Sequence, residues 1–350
     1  MAVNVINCVK MAGHQTIVLT NERIDQAKIQ KLFGTNVSAD TEMIFPLELF
    51  QATDLHNIYT DFIRTKHLRS KCDVVIDTYS NALLPSVDLT YIHFPFFGHV
   101  QAQRANADIT KRIKDTYYLP YRYYEKREAQ NRKRVVFGNS MYTMNAIRKF
   151  AGATPTLLYP PITKSFFNHS NAQERTNTVV SVARISPEKR FTLIPQIAEL
   201  TDRRIHFLIV GIKESAKELS RILELIKTNK VSDRVKIMTD VPREELQNIL
   251  RTSKVFLHPA VGEHFGVSIV EAMASGCITI THNSGGPTEF VPAQYRFDEL
   301  EEAARKIEGA VLEWTLESSH KFVQIAQAFS EQQFSKKFLE VFDSHIHSAR

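Results

Sequence analysis

The chain has 350 residues, 43% of them hydrophobic and 23% charged, which excludes a disordered or collagen-like polypeptide and allows two domains with sizeable cores. Lysine and arginine exceed aspartate and glutamate by 44 − 38 = 6, so the surface attracts anions. Cys8, Cys72 and Cys277 are odd in number and show no CxxC spacing, which argues against a disulfide framework or a zinc site and fits a reducing cytoplasm.

In chain order, Ala2–Met11 reads as a helix, with Val3, Ile6 and Val9 placed to pack and Gly13 closing it. A doubly wound domain ordinarily opens with a strand and a Gly-rich turn before this helix, so the reading is a chain that lacks its first strand and loop. Short apolar, β-branched runs then predict strands at Thr16–Thr20, Asp73–Thr78, Thr90–Phe94 and Arg134–Asn139. Leu158-Tyr159-Pro160-Pro161 reads as an extended hinge, because proline lacks the N–H a sheet ladder needs, and the polar stretch Asn168–Asn177 supports a boundary there. A second series of strands follows at Thr178–Val182, His206–Val210, Val235–Met238, Lys254–His258 and Ile278–Thr281. Within it, Ala216–Lys227 places Leu219, Ile222, Leu223 and Ile226 at helical spacing. Strands alternating with helices predict an α/β chain of two Rossmann-like, doubly wound domains facing each other across a cleft. The expected spans are 1–161, 162–330 and a C-terminal helix, 331–350, packing back on the first domain.

The chemistry concentrates after the second series of strands. Gly262-Glu263-His264-Phe265-Gly266-Val267-Ser268-Ile269-Val270-Glu271 follows a predicted strand and carries two carboxylates eight positions apart. Ser268–Ala274 reads as a helix, so Phe265, Gly266 and Val267 fall at its N-terminus, where free N–H groups and the dipole attract polar or anionic ligands. Arg184 and Lys189, in Ala-Arg-Ile-Ser-Pro-Glu-Lys, lie just past another strand; a forked guanidinium beside a compact ammonium suits a diphosphate. Gly285-Gly286-Pro287 marks a Gly-rich loop at a third strand end. DxD, HExxH, GxSxG and GxxxxGK[ST] patterns are absent, which removes the usual sequence support for metal-bridged nucleotide chemistry, zinc proteolysis, serine hydrolysis and Walker-type ATPase activity.

These residues resemble the retaining glycosyltransferases of family 4, which have the GT-B fold. The likeness narrows at Glu-His-Phe-Gly-Val-Ser-Ile-Val-Glu followed by His-Asn-Ser-Gly-Gly-Pro, which is similar to the α-1,2-mannosyltransferases that extend lipid-linked oligosaccharides from GDP-mannose. Tyr91-Ile92-His93-Phe94-Pro95 and Gly138-Asn139-Ser140 resemble that subgroup as well. The resemblance implies that Arg184 and Lys189 hold the donor diphosphate, that Glu271 hydrogen-bonds the ribose, and that Glu263 contacts donor-sugar hydroxyls. It also implies that the Phe265–Ser268 backbone, Gly285 and Gly286 line the nucleotide-sugar site, with Ser268 at the helix start, and that His93 faces the reacting sugar. No metal or other cofactor is expected, and retention proceeds without an enzymatic nucleophile. The alternatives are a UDP-hexose donor, or a catalytically silent, truncated family member.

Between Arg104 and Arg134 ten lysines and arginines, among them Lys111, Arg112 and Lys114, are interleaved with five tyrosines. Such a segment suits an anionic membrane surface and a lipid-diphosphate acceptor. Nucleic acid is not expected as a partner, since no binding motif accompanies the charge. No apolar run reaches the ~18 residues of a spanning helix. The expected location is therefore cytoplasmic, peripheral on the membrane face.

Overall fold

A computed structural model describes residues 1–45, 54–95, 110–131, 133–167 and 175–349. The chain divides into two compact units. One comprises Met1–Gln30, Thr35–Pro161 and Gln332–Arg350; the other comprises Lys31–Gly34 and Ile162–Glu331.

Up to Pro161 the chain runs α1 (Ala2–Met11), β1 (Ile17–Thr20), α2 (Gln26–Phe33), β2 (Thr41–Ile44), α3 (Asp54–Arg69), β3 (Ile76–Asp77), β4 (Leu89–Ile92), α4 (Thr110–Ala129), β5 (Val135–Gly138), α5 (Met141–Phe150) and β6 (Thr156–Leu157), all in the first unit except the last three residues of α2. Among the described residues every strand pair of this unit is parallel, in two separate sheets, β1-β2 and β3-β4-β5-β6. All four residues of β4 are buried, as expected of a parallel strand covered on both faces. Ser140 starts α5 by accepting the Thr143 N–H at 3.0 Å, and the helix then buries Met144, Ala146 and Ile147.

The C-terminal helix, Glu331–Ala349, completes the core of this unit. Phe334, Phe338 and Phe342 fall one turn apart and pack with Val5, Cys8 and Val9 of α1 and with Tyr91, Phe137 and Leu158. The Tyr91 hydroxyl, buried in that cluster, donates to the Leu158 carbonyl at 3.0 Å.

The second unit contains β7 (Thr176–Val182), α6 (Leu193–Leu200), β8 (His206–Gly211), α7 (Ala216–Thr228), β9 (Val235–Thr239), α8 (Arg243–Thr252), β10 (Ser253–His258), α9 (Val267–Ala274), β11 (Ile278–His282), β12 (Arg296–Phe297), α10 (Leu300–Leu312) and α11 (Leu316–Gln327). They form one parallel sheet in the order β12-β11-β10-β7-β8-β9. Val255, Phe256 and Leu257 of the central β10 are fully buried. Ser215 caps α7 by accepting the Glu218 N–H at 3.1 Å. That helix buries Ile222 and Ile226 but leaves Leu223 exposed, so its inward stripe is narrower than the apolar pattern suggests.

Three strands escape the periodicity. β2 has only one partly buried residue in four, and β6 and β12 are two residues long. All three are edge strands, which need little apolar content.

Candidate functional site

The order of the six-stranded sheet decides where its ligand loops converge. From β7 the chain winds outward through β8 and β9, then returns to the other side of β7 as β10. The direction reverses between β7 and β10, and in open α/β sheets ligands bind outside the carboxyl ends of the strands at such a point. The loops leaving β7 and β10 carry Arg184, Lys189 and Glu263.

After β7, a short 3-10 turn at Pro187–Lys189 ends on Arg190, held in the left-handed region at φ 54°. Lys189 emerges from that turn with its Nζ 2.7 Å from Glu263 Oε2, both side chains largely buried. Arg184 points elsewhere. Its guanidinium lies 2.6 Å from Glu214 and 3.5 Å from Glu188, with more than half of its side chain in solvent.

Glu263 has a second partner that the sequence reading overlooks. His258, the last residue of β10 and 1% exposed, places Nε2 2.8 Å from the same Oε2. The backbone N–H of His264 donates to Oε1 at 3.1 Å. Burial pushes the Glu263 carboxyl up, but His258 by hydrogen bond and charge, and then Lys189, hold it well below the usual carboxylate range. The only advance signal was a lone histidine closing the buried run Val-Phe-Leu-His, five residues before the glutamate.

The glycine loop clamps this segment from the other side. Gly286 N–H donates to the Glu263 carbonyl at 2.8 Å, and Gly262 N–H to Ser284 Oγ at 2.8 Å. A Cβ on Gly285 would overlap the Glu263 carbonyl oxygen, and one on Gly286 the His264 carbonyl oxygen. Both glycines are therefore required by loop-on-loop packing. This is a different reason from the ligand contact that the resemblance implies.

Gly266, at φ 86°, precedes α9 without a side-chain cap, so the first N–H groups of Val267 and Ser268 have no side chain of the N-cap residue to satisfy them. The Phe265 side chain is turned into the core. It is 2% exposed and packs on Phe290 and Phe329 with ring centroids 5.3 and 5.4 Å away, leaving its main chain as the part that borders the site. About one turn along α9, Glu271 is largely buried beside Arg243 of α8, Oε1 to Nη2 at 3.5 Å. Arg243 is itself fixed by a hydrogen bond to Thr163 Oγ1 at 2.9 Å and by stacking on the Phe166 ring. Burial raises the Glu271 carboxyl to about 7, with Arg243 opposing.

Lys189 and Glu263 are thus joined directly, whereas Arg184 and Glu271 each have acidic or basic partners of their own. His93 belongs to the first unit, just past β4, where its N–H donates to Asn81 Oδ1 at 2.7 Å and its carbonyl accepts from Asn139 and Thr143. Burial, and then the Met1 ammonium, lower its pKa. Lys111, Arg112 and Lys114 lie on the first turns of α4, and their side chains are outside the described residues. Further along that helix Tyr123 and Tyr124 are exposed together with Lys126 and Arg127.

Among the described residues no group of three or more His, Cys, Asp or Glu is placed to hold a metal ion. None of the described helices is long and apolar enough to cross a membrane.

Residues 163–329 match the family model of the glycosyl transferases group 1. The chain is 30% identical over 232 residues to a human protein named GDP-Man:Man(3)GlcNAc(2)-PP-Dol alpha-1,2-mannosyltransferase, covering 59% of this chain and 47% of that one. A protein of the same name from Candida albicans is 27% identical over 261 residues, covering 61% and 43%. The chain spans about half the length of the curated relatives it matches. Among solved structures, sucrose-phosphate synthase from Thermosynechococcus elongatus aligns with a TM-score of 0.75 at 16% identity, covering 98% of this chain and 92% of that one. A glycosyltransferase from Rickettsia africae aligns with a TM-score of 0.71 at 15% identity, covering 98% and 93%. These structural matches support the GT-B class of α/β fold read from the sequence.

Proposed function

We propose that this chain, whose residues 163–329 match the family model of the glycosyl transferases group 1, is a retaining hexosyltransferase that moves mannose from GDP-mannose onto a lipid-linked glycan. The observation that carries the reading is the Lys189–Glu263–His258 cluster at the reversal point of the second sheet. The choice of mannose, and of a lipid-linked acceptor, rests on the names of the relatives.

In the proposed reaction the bond from the anomeric carbon to the β-phosphate oxygen breaks. The acceptor oxygen bonds the same face of that carbon, and its proton passes to the departing phosphate. Charge accumulates on the diphosphate in the transition state, and Lys189 and Arg184 would stabilise it. Lysine carries three donors, one of which is used on Glu263, so two remain for phosphate oxygens. Arg184 must exchange its two glutamates for the ligand. Glu271 would accept from the ribose, and His93 would face the sugar. No metal takes part in this scheme.

A panel of GDP- and UDP-sugars offered with a lipid-diphosphate-linked glycan tests the assignment. Turnover with GDP-mannose alone is the expected result, and a UDP-hexose preference would reassign the donor. Arg184→Ala should lower turnover by roughly 100-fold or more, as loss of a charge-stabilising group does, and Glu263→Ala should lower it too, by removing the acceptor for a sugar hydroxyl. Unchanged turnover in both would remove the site. No turnover with any donor would favour a catalytically silent member.

We also infer a peripheral contact with anionic lipid on the cytoplasmic face, supported by the exposed Tyr123, Tyr124, Lys126 and Arg127 of α4. Binding to phosphatidylserine vesicles should weaken as salt rises and when Lys111, Arg112 and Lys114 are reversed in charge. Binding indifferent to both would end this reading.

A further inference from the structure

The three donors around Glu263 divide its carboxylate unevenly. Oε2 accepts from both Lys189 Nζ at 2.7 Å and His258 Nε2 at 2.8 Å, whereas Oε1, among the described residues, accepts only the His264 N–H at 3.1 Å. A carboxylate oxygen has about two lone-pair directions, so Oε2 is filled and Oε1 keeps one position open. An ionised carboxylate only accepts, so His258 must carry a proton on Nε2.

The imidazole has little freedom. It closes β10 with 1% exposure and stacks on Phe256, the rings 6.4 Å apart and 7° from parallel. Its Nδ1 is buried without a hydrogen-bond partner. Among the described residues, the hydrogen bonds of this ring are spent on Glu263 alone.

Resting on the nucleotide-sugar reading above, we propose that His258 is a positioning residue that acts through Glu263, locking the carboxylate so that Oε1 is presented to a hydroxyl of the donor sugar. Without the imidazole, Oε2 has Lys189 as its remaining side-chain donor. The carboxylate is then free to swing with the ammonium when the latter turns to a diphosphate. His258 therefore governs how the sugar is held and leaves the hold on the nucleoside diphosphate alone.

The experiment compares GDP with GDP-mannose, by calorimetry, on the full chain and on His258→Phe and His258→Gln. Glutamine can offer an N–H near the position of Nε2; phenylalanine keeps the ring and removes the donor. In His258→Phe the affinity for GDP-mannose relative to GDP is expected to fall about 10-fold, the loss of one charge-assisted hydrogen bond, while GDP binding itself holds. His258→Gln should recover most of that ratio. An unchanged ratio in His258→Phe, or an equal loss in both variants, overturns the assignment of His258 while the nucleotide site stands. If His258→Phe does not fold, His258→Asn, whose amide is too short to reach, takes its place and is held to the same outcomes. A wild-type chain that binds neither GDP nor UDP overturns the nucleotide reading, and this inference falls with it.

Discussion

Glu271 and Arg243 make a buried pair whose charge balance depends on pH. Burial lifts the carboxyl to about 7, against an ordinary 4.5, so the group takes its charge only near neutrality. The folded value lies above the unfolded one, so this side chain's stabilising contribution is complete below about pH 4.5 and is lost as pH rises through 7. Nucleotide binding should follow the opposite course, because an ionised carboxylate accepts from ribose hydroxyls more strongly. GDP affinity is expected to increase between pH 6 and pH 8, and Arg243→Met should move the midpoint upward by removing the opposing guanidinium. A calorimetric pH series measures both, and a flat series would detach Glu271 from the nucleotide.

At this scale the sequence was only partly informative. Glu263, Glu271, Arg184 and Lys189 could be singled out because charged residues in a Gly-rich, strand-end context are conspicuous. Arg243 and His258 lie 28 residues before Glu271 and five before Glu263, within an ordinary amphipathic helix and an apolar strand. Their role comes from packing across neighbouring elements, which a one-dimensional pattern does not contain.

Elements show the same division. The long central strands and amphipathic helices are legible because burial on both faces demands continuous β-branched and aromatic runs. Edge strands such as Arg296–Phe297 form by pairing alone and leave no such trace. One buried group in α4 also went unnoticed. Glu125 is 4% exposed, and burial lifts its carboxyl to about 8 from an ordinary 4.5, opposed by hydrogen bonding with Tyr121. The folded form holds a proton that the unfolded form releases near pH 4.5, so stability is full below that value and declines as pH climbs through 8. Glu125→Gln, neutral throughout, should raise the melting temperature by a few degrees at pH 8, of the order expected for ~1–2 kcal/mol, and by less at pH 5. Equal shifts at the two pH values would mean that Glu125 is ionised in the fold.

For the molecule as a whole, the division into two units predicts separable melting. Phe338 is 1% exposed, meets the Phe137 ring of β5 and shares the first unit's core cluster with Val5, Cys8 and Val9 of α1. Phe338→Ala should cost about 3–5 kcal/mol, the usual range for emptying a large aromatic site. That loss belongs to the first unit. Differential scanning calorimetry should show one transition moving down and the other staying, and a single transition shifting intact would mean that the units unfold as one. The division of the chain after Pro161 falls at the two adjacent prolines singled out in the sequence. The sequence reading also expected a helix at 331–350 packing back on the first domain; which residues it meets, Phe334, Phe338 and Phe342 against Val5, Cys8, Val9, Tyr91, Phe137 and Leu158, is set by packing across the chain.

That last arrangement has a bearing on biosynthesis. A ribosome makes α1, β4 and β5 long before Phe334, Phe338 and Phe342 are translated, so the apolar faces those rings cover stay bare until then. The Ile162–Glu331 unit, whose strands are contiguous in the message, can close first. The nascent amino-terminal segment then waits for the helix Glu331–Ala349 to emerge, and during that interval its bare apolar faces are a place for a chaperone to bind.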